Sequence, residues 1–291
     1  MTISLPALLS QLLLGLVNGS FYAILSLGLA VIFGLLNVIN FAHGALFMMG
    51  AILSWMAMNY FNVNYWVMLL GAPLIVGAFG VLIERLLLRW IYKLDHLYGL
   101  LLTLGLTLLI EGGFRSAYGV SGLPYNTPEA LSGGTNLGFM FLPNYRAWVV
   151  VASLIICFAT WYAIEKTRLG AYLRAGTENP RLVEAFGVNV QLMVTLTYGF
   201  GVALAAFAGV LAAPVIQISP LMGQNLIIIV FAVVVIGGMG SIMGSILTGL
   251  GLGVIEGLTK VFYPEASSTV VFVIMVVVLL IRPAGLFGSE K

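Results

Sequence analysis

Apolar runs follow one another along almost the whole chain, near residues 7–34, 42–60, 65–91, 97–118, 146–164, 191–215, 226–240, 244–262 and 268–282. A helix needs about 20 apolar residues to cross a hydrocarbon core of roughly 30 Å. A transmembrane barrel would instead show short segments of alternating polarity. The pattern therefore predicts an all-α, polytopic transmembrane bundle of about nine segments, within a range of 8–10. The runs 226–240 and 268–282 are short for a span, so one or both should tilt or join a partly inserted loop. The second segment opens with Asn37, Asn40 and His43, which predicts a broken helix there.

Composition agrees. Of 291 residues, 61% are hydrophobic and 8% charged, where a soluble domain carries about 25% charged residues. No stretch is long and polar enough for a separate soluble domain, so residues 1–291 read as one transmembrane domain. The net charge of +2 without a basic tract gives no reason to expect a nucleic-acid partner. The single cysteine, Cys157, excludes an internal disulfide and a cysteine-based metal cluster. No basic region precedes the first apolar run, which is also too long for a signal peptide, so it reads as a retained span.

The basic residues set the orientation. Arg85, Arg89 and Lys93 follow the third segment, Lys166, Arg168, Arg174 and Arg181 the fifth, and Arg282 and Lys291 the last. With nine spans and an external N-terminus these share one face, which the positive-inside rule assigns to the cytoplasm. Arg115, Arg146 and Lys260 fall on the other. The external loop 119–145 is rich in Gly, Pro and Asn and predicts turns; it is either a simple connector or an ordered lid.

On the cytoplasmic side, residues 165–187 hold seven of the 22 charged residues: Glu165, Lys166, Arg168, Arg174, Glu178, Arg181 and Glu184. Within this island Asn179 can cap a helix, Pro180 suits its first position, and Gly187 can end it. Leu182, Ala185 and Phe186 share one face of this helix, whereas Arg181 and Glu184 leave it. So short a helix is marginal in water and needs a partner surface.

The polar residues expected at membrane depth are Asn18, Tyr22, Asn37, Asn40 and His43. Such groups either pair between helices or line a wet path. Small residues recur every four positions in Ser241, Ser245, Gly249, Gly253 and Gly257, in Gly201, Ala205, Gly209 and Ala213, and in Gly15, Gly19 and Ala23. Each ridge lets another backbone approach closely. Glu111 with Arg115 and Glu256 with Lys260 read as i,i+4 ion pairs.

Enzyme signatures fail. A GK dipeptide, and with it a phosphate-binding loop, is absent, and so is HExxH. Gly119-Val120-Ser121-Gly122 has the form of an intramembrane protease motif, but both histidines, His43 and His96, precede it.

Several stretches together resemble the LivH-type permease of bacterial ABC importers. They are Asn18-Gly19-Ser20-Phe21-Tyr22-Ala23, Asn37-Val38-Ile39-Asn40-Phe41-Ala42-His43-Gly44, and Glu184-Ala185-Phe186-Gly187-Val188-Asn189. To these are added Gly237-Gly238-Met239-Gly240-Ser241 with Gly244, and Arg282-Pro283-Ala284-Gly285-Leu286-Phe287-Gly288. The resemblance implies a non-catalytic permease in the bacterial inner membrane that handles branched-chain amino acids by alternating access. It implies a second, homologous permease subunit, two cytoplasmic ATPases that hold ATP and Mg, and a periplasmic binding protein. The segment 165–190 would then be the coupling loop, with Arg174, Glu178, Asn179, Pro180, Arg181, Glu184, Ala185 and Gly187 at the ATPase. Asn18, Tyr22, Asn37, Asn40 and His43 would line the path. Other cargoes of the family (urea, short amides, aromatic carboxylates) and, more remotely, a gradient-driven secondary transporter remain open at this stage.

Overall fold

The computed structural model describes residues 4–36, 39–92 and 94–288. Asn37, Lys93 and Lys291 lie outside these residues. The long helices are α1 (Leu5–Leu36), α2 (Ala42–Phe61), α3 (Tyr65–Ile83), α5 (His96–Tyr118), α6 (Asn144–Glu165), α9 (Val190–Ala212) and α11 (Ile242–Phe262). A π-helical turn, Glu84–Leu88, carries α3 into the short α4 (Arg89–Ile91). The charged island forms α7 (Arg168–Glu178) and α8 (Pro180–Ala185). Two shorter apolar helices, α10 (Met222–Gly237) and α12 (Val270–Ile281), complete the bundle. Among the described residues, seven helices are long and apolar enough to cross a membrane, counting α3 and α4 as one. At 16 and 12 residues, α10 and α12 are about 24 and 18 Å long, short of the hydrocarbon thickness.

The most extensive pairing joins α1 to α11, antiparallel along the small-residue ridges. A Cβ on Gly15 would lie 2.5 Å from the Gly253 carbonyl oxygen, and one on Gly249 would lie 2.7 Å from the Ala23 Cα. Gly257 meets the backbone at Gln11 in the same way. In lipid there is little hydrophobic drive between helices, so this close backbone packing is the main source of their attraction. The other ridge is shared: Gly201 abuts α1 at Gly28, and Gly209 abuts α2 at Phe47. Leucines on α3, α5 and α6, among them Leu74, Leu101 and Leu154, point outward as a membrane protein requires.

One end of the bundle gathers the basic groups. Arg89 meets the start of α9 at Thr195, and α7 folds against the end of α6 through Arg174. The turn between α10 and α11 places Gly238 and Gly240 at φ of 100° and 84°, a region open mainly to glycine. The C-terminal segment covers that turn: Leu286 and Phe287 donate their N–H groups to the carbonyls of Ile236 and Gly237 at 2.8 and 3.1 Å. These bonds satisfy carbonyls that the end of α10 leaves free. At the opposite end, loop 119–143 is ordered. It holds an antiparallel hairpin of β1 (Gly134–Asn136) and β2 (Phe141–Pro143), and Trp55 donates to the Pro124 carbonyl at 2.9 Å.

The break expected within the second segment falls before it: residues 39–41 are non-helical, and α2 then runs continuously from Ala42 to Phe61. His43, in the first turn of α2, sits beside Leu25 and Gly28. That level is eight residues, roughly 12 Å, back from the end of α1. The chain therefore re-enters the bundle before α2 begins. Thr103 of α5 serves the exposed backbone there, accepting from Phe41 N at 3.2 Å and donating to the Ile39 carbonyl at 3.3 Å. Irregular backbone at membrane depth survives only with such partners.

Candidate transport path and coupling segment

The charged segment 165–190, expected from the sequence to hold one short helix, is built from two, α7 and α8. Gly170 lets α7 close on the backbone at Ile164, and Leu173 and Gly176 are buried beneath it. Arg174 donates to the Ile164 carbonyl at 3.0 Å and lies 3.6 Å from Glu165, so it ties α7 to α6 instead of standing clear. The polar Arg, Thr and Glu positions of this stretch hid a helix whose apolar face is only a few residues wide. The short helix α8 has the expected ends. The Asn179 side chain accepts from Leu182 N at 3.1 Å, Pro180 occupies the first turn, and Gly187 takes φ of 81°. Val183 alone anchors α8 inward. Leu182 and Phe186 are 55% and 80% exposed, with Ala185 bare beside them. Glu178, Arg181 and Glu184 are exposed around this apolar face. The arrangement is a small apolar knob in a charged rim, the pattern of a protein-docking element.

The polar set divides. Asn40 is fully buried and donates to the Tyr198 hydroxyl at 3.1 Å. His43 is fully buried and meets the Leu25 carbonyl at 3.0 Å. Both tie the entry of α2 to neighbouring helices. Tyr22 donates to Glu256 at 2.7 Å, and Glu256 pairs with Lys260 at 2.6 Å, the i,i+4 pair expected from sequence. Asn18, half-buried, lies one turn before Tyr22 on α1. Asn37 lies outside the described residues.

The expected Glu111–Arg115 pair does not form. Glu111 is buried and accepts from the Gln224 carboxamide at 2.5 Å, and Arg115 is exposed one turn further along α5. A neighbour on a different helix, α10, outcompeted the local partner, which single-sequence spacing does not reveal. A second polar cluster was also missed. Glu84, fully buried in the π-helical turn, accepts from Thr195 at 2.6 Å, with Arg89 at 3.8 Å. The Gln191 carboxamide, turned with its oxygen toward Arg89, accepts from Nε and Nη1 at 3.2 and 3.1 Å. The turn widens α3 enough to bring Glu84 onto α9; π-turns recur at functional sites. The ERLLLR sequence gave Glu84 only as a charge near a membrane boundary.

A multi-pass helical bundle with a glycine-packed seam and a capped apolar knob at its basic end is the architecture of a polytopic membrane protein. The family model described as "branched-chain amino acid transport system / permease component" matches residues 11–279, and the chain belongs to that family. It is a multi-pass protein of the inner membrane. The chain is 29% identical to the high-affinity branched-chain amino acid transport system permease protein LivH of Salmonella typhimurium, over 97% of this chain and 96% of that one. It is 30% identical to BraD of Pseudomonas aeruginosa, a permease protein of the same description, over the same shares. The probable permease LivH of Methanocaldococcus jannaschii is 27% identical over 94% of this chain and 91% of its own. No solved structure matches the chain.

Proposed function

We propose that this chain is one of two permease subunits of an ATP-driven importer of branched-chain amino acids. Two cytoplasmic ATPases supply the energy, and a periplasmic binding protein delivers the cargo. The observation that carries this reading is α8. A chain without a phosphate-binding loop presents a capped helix with Leu182 and Phe186 bare at its basic, cytoplasmic end. Closure of the ATPases on ATP pushes α8, and α7, tied to α6 by Arg174, passes the displacement into the bundle. The seam between α1 and α11 moves as a unit, and the cavity shared with the second permease changes the side on which it opens.

The test is leucine uptake into vesicles carrying the assembled transporter. Uptake should stop when ATP is withdrawn and the proton gradient is kept. Uptake that continues on the gradient alone rejects the ATP-driven reading.

A further inference from the structure

Helix α5 is the least covered of the long helices: only 22% of its most apolar window is buried, against 83% for α1. Its outward side is not uniformly greasy. Gly112 and Gly113 are exposed with open space before them, and Arg115 is exposed three residues before the external end. Glu111 stands seven residues, about 10 Å, from that end, within the hydrocarbon zone. A carboxylate at that depth is costly unless partnered, and charged groups there mark solute paths. Glu111 is only half satisfied. One oxygen takes the Gln224 hydrogen bond, while Oε1 is buried without a partner among the described residues. Gln224 and its neighbour Asn225 are exposed at the start of α10, where Gly223 packs on Gly44 of the re-entrant segment. Exposed amides and glycines at this depth suit a wet subunit interface, not lipid.

Glu111 and Arg115 lie at i and i+4, about 6 Å apart at Cβ, in the order that favours an ion pair. No ion pair joins them among the described residues. An acid and a base on one helix face, separated and each with capacity left, match a solute that carries one charge of each sign on a single carbon. We propose that Glu111 and Arg115 form a binding site for the zwitterionic head of an α-amino acid on the external half of the path. The ammonium displaces the exposed Gln224 carboxamide and donates to Glu111 in its place, and the carboxylate accepts from the Arg115 guanidinium. Arg115 is nearer the outside and meets the arriving solute first. Leu108, one turn inward of Glu111 and 60% exposed, receives the aliphatic side chain. The proposal rests on the reading that the cargo is an α-amino acid.

The test uses vesicles with the complete transporter and labelled leucine. Glu111→Gln and Arg115→Gln should each lower maximal uptake at least tenfold. Glu111→Asp and Arg115→Lys should stay within threefold of the parent. Uptake within twofold of the parent in both neutral variants overturns the proposal, as do conservative variants as poor as the neutral ones. Parent vesicles that take up no leucine defeat the cargo reading and this site with it; parent uptake that survives the neutral variants defeats the site alone. If a neutral variant fails to assemble, Leu108→Cys, which keeps both charged groups, decides. Leucine-loaded binding protein with ATP, compared with empty binding protein, should slow its modification by a thiol reagent at least threefold. An unchanged rate overturns the proposal. Cys157 is the chain's only cysteine and is buried, so this reporter has little background from the chain itself.

Discussion

The α1–α11 seam and helix α5 solve opposite problems with the same residue. On the seam, Gly15, Gly19, Gly249 and Gly253 remove side chains so that two backbones can touch. On α5, Gly112 and Gly113 face space that nothing in this chain fills. Glycine lets a helix come close to another in the first case and keeps a place vacant in the second. The seam is where the chain closes on itself, and α5 is where it leaves room for something else.

The largest expected effect breaks the seam. A Cβ at Gly253 already falls on the Gly19 backbone, which cannot yield as a side-chain tip can. Gly253→Leu should cost about 3 kcal/mol or more by overpacking, and little monodisperse protein should be recovered in detergent. Gly251, on the same helix with nothing within 4 Å, is the control. Gly251→Leu should be recovered as well as the parent. Equal recovery of both variants would remove the distinction between packed and vacant glycines.

The next effect leaves folding alone. Phe186 is 80% exposed on α8, so Phe186→Ser should shift the stability of the chain by no more than about 0.5 kcal/mol. If α8 docks an ATPase, leucine uptake should fall at least tenfold and ATP hydrolysis should lose its dependence on loaded binding protein. Normal coupling in this variant would remove the apolar knob from the docking surface and return α8 to being an ordinary loop helix.

These contrasts also show what the sequence could carry. Spans were legible because apolar periodicity and length are local properties. The ends of α8 were legible because Asn179, Pro180 and Gly187 act within a few residues of themselves. The Glu256–Lys260 pair was legible for the same reason. What required the fold was every choice between a local and a distant partner. Glu111 took Gln224 over Arg115, and the partners of Asn40 and His43 are Tyr198 and the Leu25 carbonyl on other helices. The helix α7 escaped because its buried face is only Gly170, Leu173 and Gly176, and glycine marks close approach as readily as it marks a turn. The cluster at Glu84 escaped because its partner, Thr195, lies 111 residues away.

The smallest expected effect tests whether the external loop is a closed part of the molecule or a slack connector. Tyr125 tucks under the loop and shares a 2.7 Å hydrogen bond with Ser54 on α2. Burial pushes its hydroxyl up from 10.0 to about 12, with the Ser54 hydrogen bond opposing the rise and Tyr65 adding to it. The folded loop thus holds the proton more tightly than the unfolded chain does. Its stabilising contribution is complete below pH 10, and it is lost as the pH climbs through about 12. Allowing for partial exposure, the loss is on the order of 1 kcal/mol. Protease nicking of loop 119–143 in sealed vesicles should therefore accelerate between pH 10 and pH 12. Tyr125→Phe keeps the ring and removes the proton, so its nicking should start somewhat faster, for want of the hydrogen bond, and then stay flat across the same window. A parent loop whose nicking is already flat there would mean that Tyr125 samples water freely and that the loop is the slack connector.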